Sequence, residues 1–468
     1  MSETRVERDA LGEVAVPADA LYGAQTERAR RNFPISGLPP LPAFVEAMVW
    51  IKKAAALTHR ETGRLDAERA DAILRAADEV LAGRHREQFV VDPYQAGAGT
   101  SHNMNVNEVL ANRANELLGS TRGRYEPVHP NDHVNMAQST NDTIPTAMRL
   151  AGLTLLAPLL ASIDGLAGAL AERGRAFDGI VKAGRTHLQD ATPIRLGQVF
   201  SAYGHTVRKH RERLATAAAP LGELNIGGTA VGTGLNAEPR YPGLMVRNLG
   251  SIAGLTLREA DDRVQLMQSM GDFAGLSAAL RTYALDLSKI ASDLRLLASG
   301  PRTALNEIHL PPVQPGSSIM PGKVNPSIAE MVNMVCYQAI GNDTAVAWSA
   351  EGGQLELNVF MPVIAQNLLF TMILLTNATR VFHERCVAGI EANAAQCAHW
   401  LERSPAIVTA LAPRIGYAAA AALAKEAVER GLTVRELVRQ KGVLEADEVD
   451  RVLDLRAMTE IGVPGKKP

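Results

Sequence analysis

The 468-residue sequence is short of several things, and each shortage excludes something. Aromatic residues make up 4% of it, so the core that its 46% hydrophobic fraction supports must be filled by Ala, Leu, Val and Ile. Such packing suits closely spaced helices better than a β sandwich. Three cysteines, Cys336, Cys386 and Cys397, give neither a paired framework nor a metal spacing, which points to a reducing compartment. A formal net charge of −2 is too small to argue for nucleic acid or an acidic membrane as partner. The charged start, Met1 to Asp9, lacks the apolar core of a signal peptide. The longest apolar run, about Leu150 to Ile163, is too short to span a bilayer and is followed by Asp164. A solenoid repeat is missing too. The glycine-rich Gly227 to Gly234 has no lysine to make it a phosphate-cradling loop. These absences predict a cytoplasmic protein.

What is present is mostly helical patterning. Residues 1–40 alternate charged and apolar and then become rich in Gly and Pro, which predicts short strands or turns. Apolar residues at helical spacing predict helices at about 43–62, 66–82 and 102–118, the last after the glycine-rich Gln95 to Ser101. Longer helices are expected at roughly 143–174, 193–218, 260–300, 326–348 and 357–386. Helices of that length exceed the usual globular mean and suggest a bundle whose members support one another. After residue 396 the helices shorten, with Ser404-Pro405 as a cap and Thr433 to Glu436 as a capping box.

Four polar stretches carry the chemistry. Gly316 to Pro326 offers two hydroxyls after a glycine (Ser317, Ser318), a Pro321-Gly322 turn, Lys323, and Asn325-Pro326 as a helix start with Glu330 one turn in. Thr100-Ser101 closes a glycine run before a helix, and Ser139-Thr140-Asn141-Asp142 precedes a long one. Thr186-His187 comes shortly before Thr192-Pro193, read as a cap followed by a first-turn proline. Helix N-termini attract anions, so four such starts would make a cage for a small carboxylate if they meet in space, and are plain caps if they do not. His187 is either a satisfied structural residue or a donor to a substrate carboxylate, with Glu330 to orient it. Ser317 serves as a base only if preorganised donors stabilise its alkoxide.

Together these stretches resemble the fumarase/aspartase superfamily. Gly316-Ser317-Ser318-Ile319-Met320-Pro321-Gly322-Lys323-Val324-Asn325-Pro326 is similar to its signature at every position. The likeness runs from Tyr22-Gly23-Ala24-Gln25-Thr26 to Gly416-Tyr417. It implies a mainly α, three-domain subunit, divided here as 1–139, 140–395 and 396–468, whose central long helices form a twenty-helix core in a homotetramer. Each active site of that family draws on three subunits. The resemblance makes Ser317 the base that takes a proton from Cβ of a succinyl-type substrate, giving an aci-carboxylate intermediate. It assigns catalytic roles also to His187, Lys323 and Glu330, and substrate binding to Thr100, Ser101, Ser139, Thr140, Asn141, Thr186, Ser318 and Asn325. No cofactor or metal is implied.

The leaving group is read from finer features. Thr100-Ser101 and Ser139-Thr140-Asn141 resemble the aspartase form, which implies reversible anti elimination of ammonia from L-aspartate to give fumarate. His129 is similar to a fumarase histidine and favours water and L-malate instead. His102 departs from aspartases, and stands either for another substituted succinate or for a surface or interface histidine.

Overall fold

In the computed structural model, which describes residues 3–465, the N-terminal alternation becomes a hairpin. β1 (Thr4–Asp9) pairs antiparallel with β2 (Gly12–Pro17), Thr4 opposite Pro17. Met1 and Ser2 of the charged start lie outside the described residues. A helix that the composition hid follows, α1 (Ala24–Asn32). Its own residues provide no side-chain cap; Glu108, far along the chain, accepts from the backbone N–H groups of Gly23, Gln25 and Thr26 at 2.9–3.1 Å.

α2 (Pro42–Glu61), α3 (Ala67–Leu81) and α4 (Thr100–Leu117) match the periodicity closely. α4 is unusual in burying polar side chains. Asn105, Asn112 and Asn115 are fully buried, and each amide both donates to and accepts from passing backbone. Asn105 holds Val90 N–H and Gln88 C=O, Asn112 holds Gly123 N–H and Leu21 C=O, and Asn115 holds both groups of Val128. Those pairings meet the rule that buried polar groups find partners.

Long helices stand near the expected places: α5 (Thr140–Ala176), α6 (Leu196–Ala218), and, after α7 (Tyr241–Ala253), α8 (Arg263–Gln268) and α9 (Gly271–Leu297), which split the helix expected at 260–300 where Ser269 turns extended, then α10 (Ser327–Glu351) and α11 (Met361–Arg385). The chain divides into two compact units, residues 1–160, 212–284 and 337–376, and residues 161–211, 285–336 and 377–468. In the first, Arg149 joins α5 to Asp272 of α9 at 2.8 Å, and Ser277 joins α9 to Asp343 of α10 at 2.7 Å. In the second, Tyr203 and His210 of α6 bond Asp293 and Asp286 of α9 at 2.6 and 2.7 Å. Apolar residues such as Leu276, Leu280, Ile364 and Met372 fill the space between helices in the first unit.

α5, and α11 with its extension to Gly389, are long and apolar enough to cross a bilayer by length and composition alone, a test that the core helix of a soluble protein also passes. The segment at 192–193 differs from expectation. Thr192 and Pro193 lie in a strand, β4 (Gln189–Arg195), paired antiparallel with β3 (Val181–Thr186), and the helix starts only at Leu196. A proline is tolerated there because the sheet has two strands and Pro193 sits beside the irregularity at Ala183/Gly184. In the tail, Thr433 and Glu436 do form the reciprocal capping box.

Candidate active site

The residues expected to bind or react fall into two groups, one in each unit. In the first unit two helix starts carry them. The glycine run turns sharply into α4, with Ala98 at φ 60° and Gly99 at φ 89°, and a Cβ on Gly99 would press on Ile144 at 3.0 Å. Thr100 is therefore the first helical residue and is exposed, whereas Ser101 is nearly buried and His102 fully so. At the start of α5, Ser139 Oγ accepts from Asn141 N–H at 3.2 Å, and Asp142 accepts from Ser139 N–H at 2.9 Å. Asp142 also receives the Gly227 and Thr229 N–H groups at 3.1 and 3.0 Å, and Asn141 donates to Ala230 C=O at 2.8 Å. The glycine-rich stretch thus wraps the polar start of α5 rather than a phosphate.

Behind both starts lies Lys52 of α2, 1% exposed. Its ammonium donates to Asn103 Oδ1 at 2.7 Å and to Asn135 Oδ1 and Gln138 Oε1 at 2.9 Å. Burial pushes Lys52 down and the neighbouring Asp142 carboxyl up from their ordinary values. Sequence reasoning gave no site role to Lys52, Asn103, Asn135 or Gln138. A signal was there: Lys52 lies one helical turn from Met48 and from Ala55, on the buried stripe of α2.

In the second unit, Thr186 and His187 sit on an exposed hairpin tip, not at a helix start. The turn residues His187 and Leu188 have φ of 55° and 58°, the left-handed pair that a two-residue hairpin demands and that glycine or asparagine fills more easily. The hairpin is anchored from below by Glu307, fully buried, which meets Arg185 at 2.8 Å and Lys182 at 3.0 Å.

The 316–326 loop is closed at its neck. Gly316 N–H bonds Lys323 C=O at 2.8 Å, and Asn325 Nδ2 donates to Gly316 C=O at 2.7 Å. Asn325 is thus a staple across the loop rather than the side-chain cap of α10, which begins at Ser327. Ser317 Oγ accepts from the backbone N–H groups of Ile319 and Met320 at 3.2 and 2.9 Å. Ser318 and Lys323 are exposed, and among the described residues Lys323 makes no ion pair. Glu330 lies 4.0 Å from Arg295. Among the described residues, no hydrogen bond or ion pair joins the hairpin tip to this loop or to Glu330.

His102 is neither a surface nor an interface histidine. Its ring stacks on Phe44 with centroids 4.8 Å apart, neither ring nitrogen has a partner among the described residues, and burial pushes its pKa down to about 3. His129 caps a single helical turn, its Nδ1 accepting from the Asn131 and Asp132 N–H groups at 3.2 Å.

Known proteins resemble this chain throughout. Residues 12–341 match the family described as Lyase, and residues 407–460 match the fumarase C C-terminus. An aspartate ammonia-lyase of Bacillus subtilis (strain 168) is 47% identical over 99% of this chain and 98% of its own length. A class II fumarate hydratase of Halobacterium salinarum is 52% identical over 99% of both. A solved fumarate lyase:delta crystallin from Brucella melitensis, bound to cobalt, superposes with a TM-score of 0.94 at 49% identity, over 98% of this chain and 100% of that one. With most of its length matched by one enzyme family and near-complete relatives at about half identity, the chain is a lyase of the fumarase/aspartase superfamily.

Proposed function

We propose that the protein is an ammonia-lyase that interconverts L-aspartate with fumarate and ammonia by anti elimination. The observation that carries the reaction type is the environment of Ser317, whose Oγ already receives two backbone N–H groups. Those donors stabilise negative charge on the oxygen, the condition under which a serine can act as base. In this reading the Cβ proton passes to Ser317 Oγ, and the electron pair enters the neighbouring carboxylate as an aci-carboxylate. The pair returns to form the Cα–Cβ double bond while the C–N bonding pair leaves with ammonia. Lys323 and Asn325 support the loop side of the substrate. Thr100, Ser101, Ser139, Thr140, Asn141, Thr186 and Ser318 bind its carboxylates, and Glu330 of one copy orients His187 of another. No cofactor takes part, since the substrate's own carboxylate absorbs the charge.

Ser101 and Thr140 support aspartate, together with the aspartate ammonia-lyase relative. The second reading is hydration of fumarate to L-malate, supported by His129 and by the 52% identity to a fumarate hydratase. Fumarate absorbance with L-aspartate and with L-malate separates them: turnover of malate alone overturns the first reading. The same proposal includes a homotetramer with shared sites, the three-part division at 139/140 and 395/396, and a cytoplasmic location. Met334, Tyr337 and Trp348, exposed at 67%, 62% and 71%, form an apolar stripe on one face of α10 that suits packing against other copies.

A further inference from the structure

The buried Lys52 is not accounted for by any step above. An ammonium has three protons and no lone pair, and here it spends them on three amide oxygens. None of these direct contacts is a carboxylate, so the ammonium's hydrogen bonds all go to neutral dipoles, with the nearby Asp142 acting on it only at longer range. The arrangement has a directional effect. Because Asn103 Oδ1 faces the ammonium, its Nδ2 faces the opposite way, toward Thr140 Oγ1 and Asn135 Oδ1, both at 3.3 Å. Asn135 and Gln138 are fixed in the same sense, Asn135 Nδ2 donating to Gln138 C=O at 3.2 Å and Gln138 Nε2 to Val134 C=O at 3.0 Å.

Thr140 Oγ1 is thereby made an acceptor. A hydroxyl that accepts has one proton left to give, and among the described residues Thr140 Oγ1 donates to nothing. The comparison with Thr143 is direct, for its hydroxyl bonds back to Ser139 C=O at 2.9 Å, the ordinary choice on a helix. For Thr140 the corresponding carbonyl, Met136 C=O, is already taken by His59 at 2.9 Å and by Gln138 Nε2 at 3.3 Å. The Thr140 O–H proton is left without a protein acceptor at the half-buried start of α5, where the helix N-terminus favours an anion.

We propose that Lys52 is a positioning residue: through Asn103 it forces Thr140 to present its hydroxyl proton to a substrate carboxylate. The inference rests on the dicarboxylate-lyase reading for the identity of that anion. It assigns α2, which carries none of the expected site residues, a part in substrate recognition.

Asn103→Asp, made in the full-length protein, tests it. The aspartate keeps an acceptor for Lys52 but replaces the Nδ2 donor by a second acceptor, so the Thr140 hydroxyl turns inward to donate. Expected are an unchanged oligomeric state and melting temperature, with succinate binding by titration calorimetry weakened roughly ten- to hundredfold, the usual loss when a hydrogen bond to a charged group goes. In turnover the KM rises by a similar factor while kcat changes less. In a Thr140→Val background the same substitution has no further effect on succinate binding, because the group it redirects is gone. Unchanged succinate affinity in Asn103→Asp, or equal losses with and without the Thr140 hydroxyl, overturns the proposal and leaves Lys52 a structural tie. If Asn103→Asp does not fold, Asn103→Ala and Thr140→Val in the same titration decide by whether their losses combine. Wild-type protein that binds succinate but turns over neither aspartate nor malate defeats the functional reading alone.

Discussion

Gly316→Ala tests whether the neck of the loop holds the base in place. A Cβ at position 316 would stand 2.6 Å from Lys323 O, 2.8 Å from Asn325 N and 3.0 Å from Val324 Cα. All three are backbone atoms, so no side chain can swing aside. The two strands of the neck must separate, and the bonds Gly316 N–H to Lys323 C=O and Asn325 Nδ2 to Gly316 C=O are lost. At about 1 kcal/mol net for each bond, the closed loop loses about 2 kcal/mol against open forms, or a factor of roughly 30 in population. Turnover measured by fumarate absorbance should fall by about that factor. Thermal unfolding should change little, since most of the loop is exposed. Gly322→Ala is the control: Gly322 has φ 81° but its Cβ would meet nothing within 4 Å, so only backbone strain of about 1 kcal/mol applies. Wild-type kcat in Gly316→Ala, or a greater loss in Gly322→Ala, would refute the idea that the neck places Ser317.

Other perturbations probe other parts of the molecule. Ser317→Ala should lower kcat by roughly a hundred- to ten-thousandfold, the range for a missing general base, with KM little changed; near-normal turnover would assign the base elsewhere. Glu307→Gln should destabilise the protein by about 3–5 kcal/mol, because Lys182 and Arg185 lose a buried counter-charge; a melting curve that does not shift would contradict it. His102→Phe concerns pH. Burial holds the His102 pKa below its ordinary 6.5, near 3. The folded state keeps the ring neutral while the unfolded chain takes up a proton below 6.5, so stability is full above that pH and is lost as pH falls toward 3. The variant should therefore outlast the wild type in acid, the gap growing by on the order of 1.4 kcal/mol per pH unit. Parallel acid limbs in denaturant titrations would count against this account, and a change of substrate preference would bring His102 back into recognition.

Helix existence was legible because apolar residues recur at helical spacing in α2 to α5 and α9 to α11, even where, as in α4, nearly every side is buried. α1 escaped because its sequence, Ala24 to Asn32, is mostly polar, and its cap comes from Glu108, which no local window contains. Thr192-Pro193 misled for a physical reason: hydroxyl followed by proline opens many helices, but here strand pairing with Ala183 uses the same dipeptide. At the site, the residues expected to touch substrate come from the family resemblance of their motifs. Their supports could not be read that way, because Lys52, Asn103 and Gln138 meet only through the packing of α2, α4 and the turn before α5. Asn325 shows the limit of a local rule, since its amide bonds the loop nine residues back instead of the helix it precedes.

The buried asparagines of α4 have a consequence for how this protein tolerates change. Asn105, Asn112 and Asn115 read passing backbone at both edges of the amide, much as one base reads another. The stretches around Leu21, Gln88, Gly123 and Val128 have little regular structure, and by composition they look like places where insertions do no harm. Their shape is instead copied from a helix, so adding a single residue there would put a carbonyl where an N–H is awaited. In this molecule the irregular segments along α4 are as fixed in length as any strand.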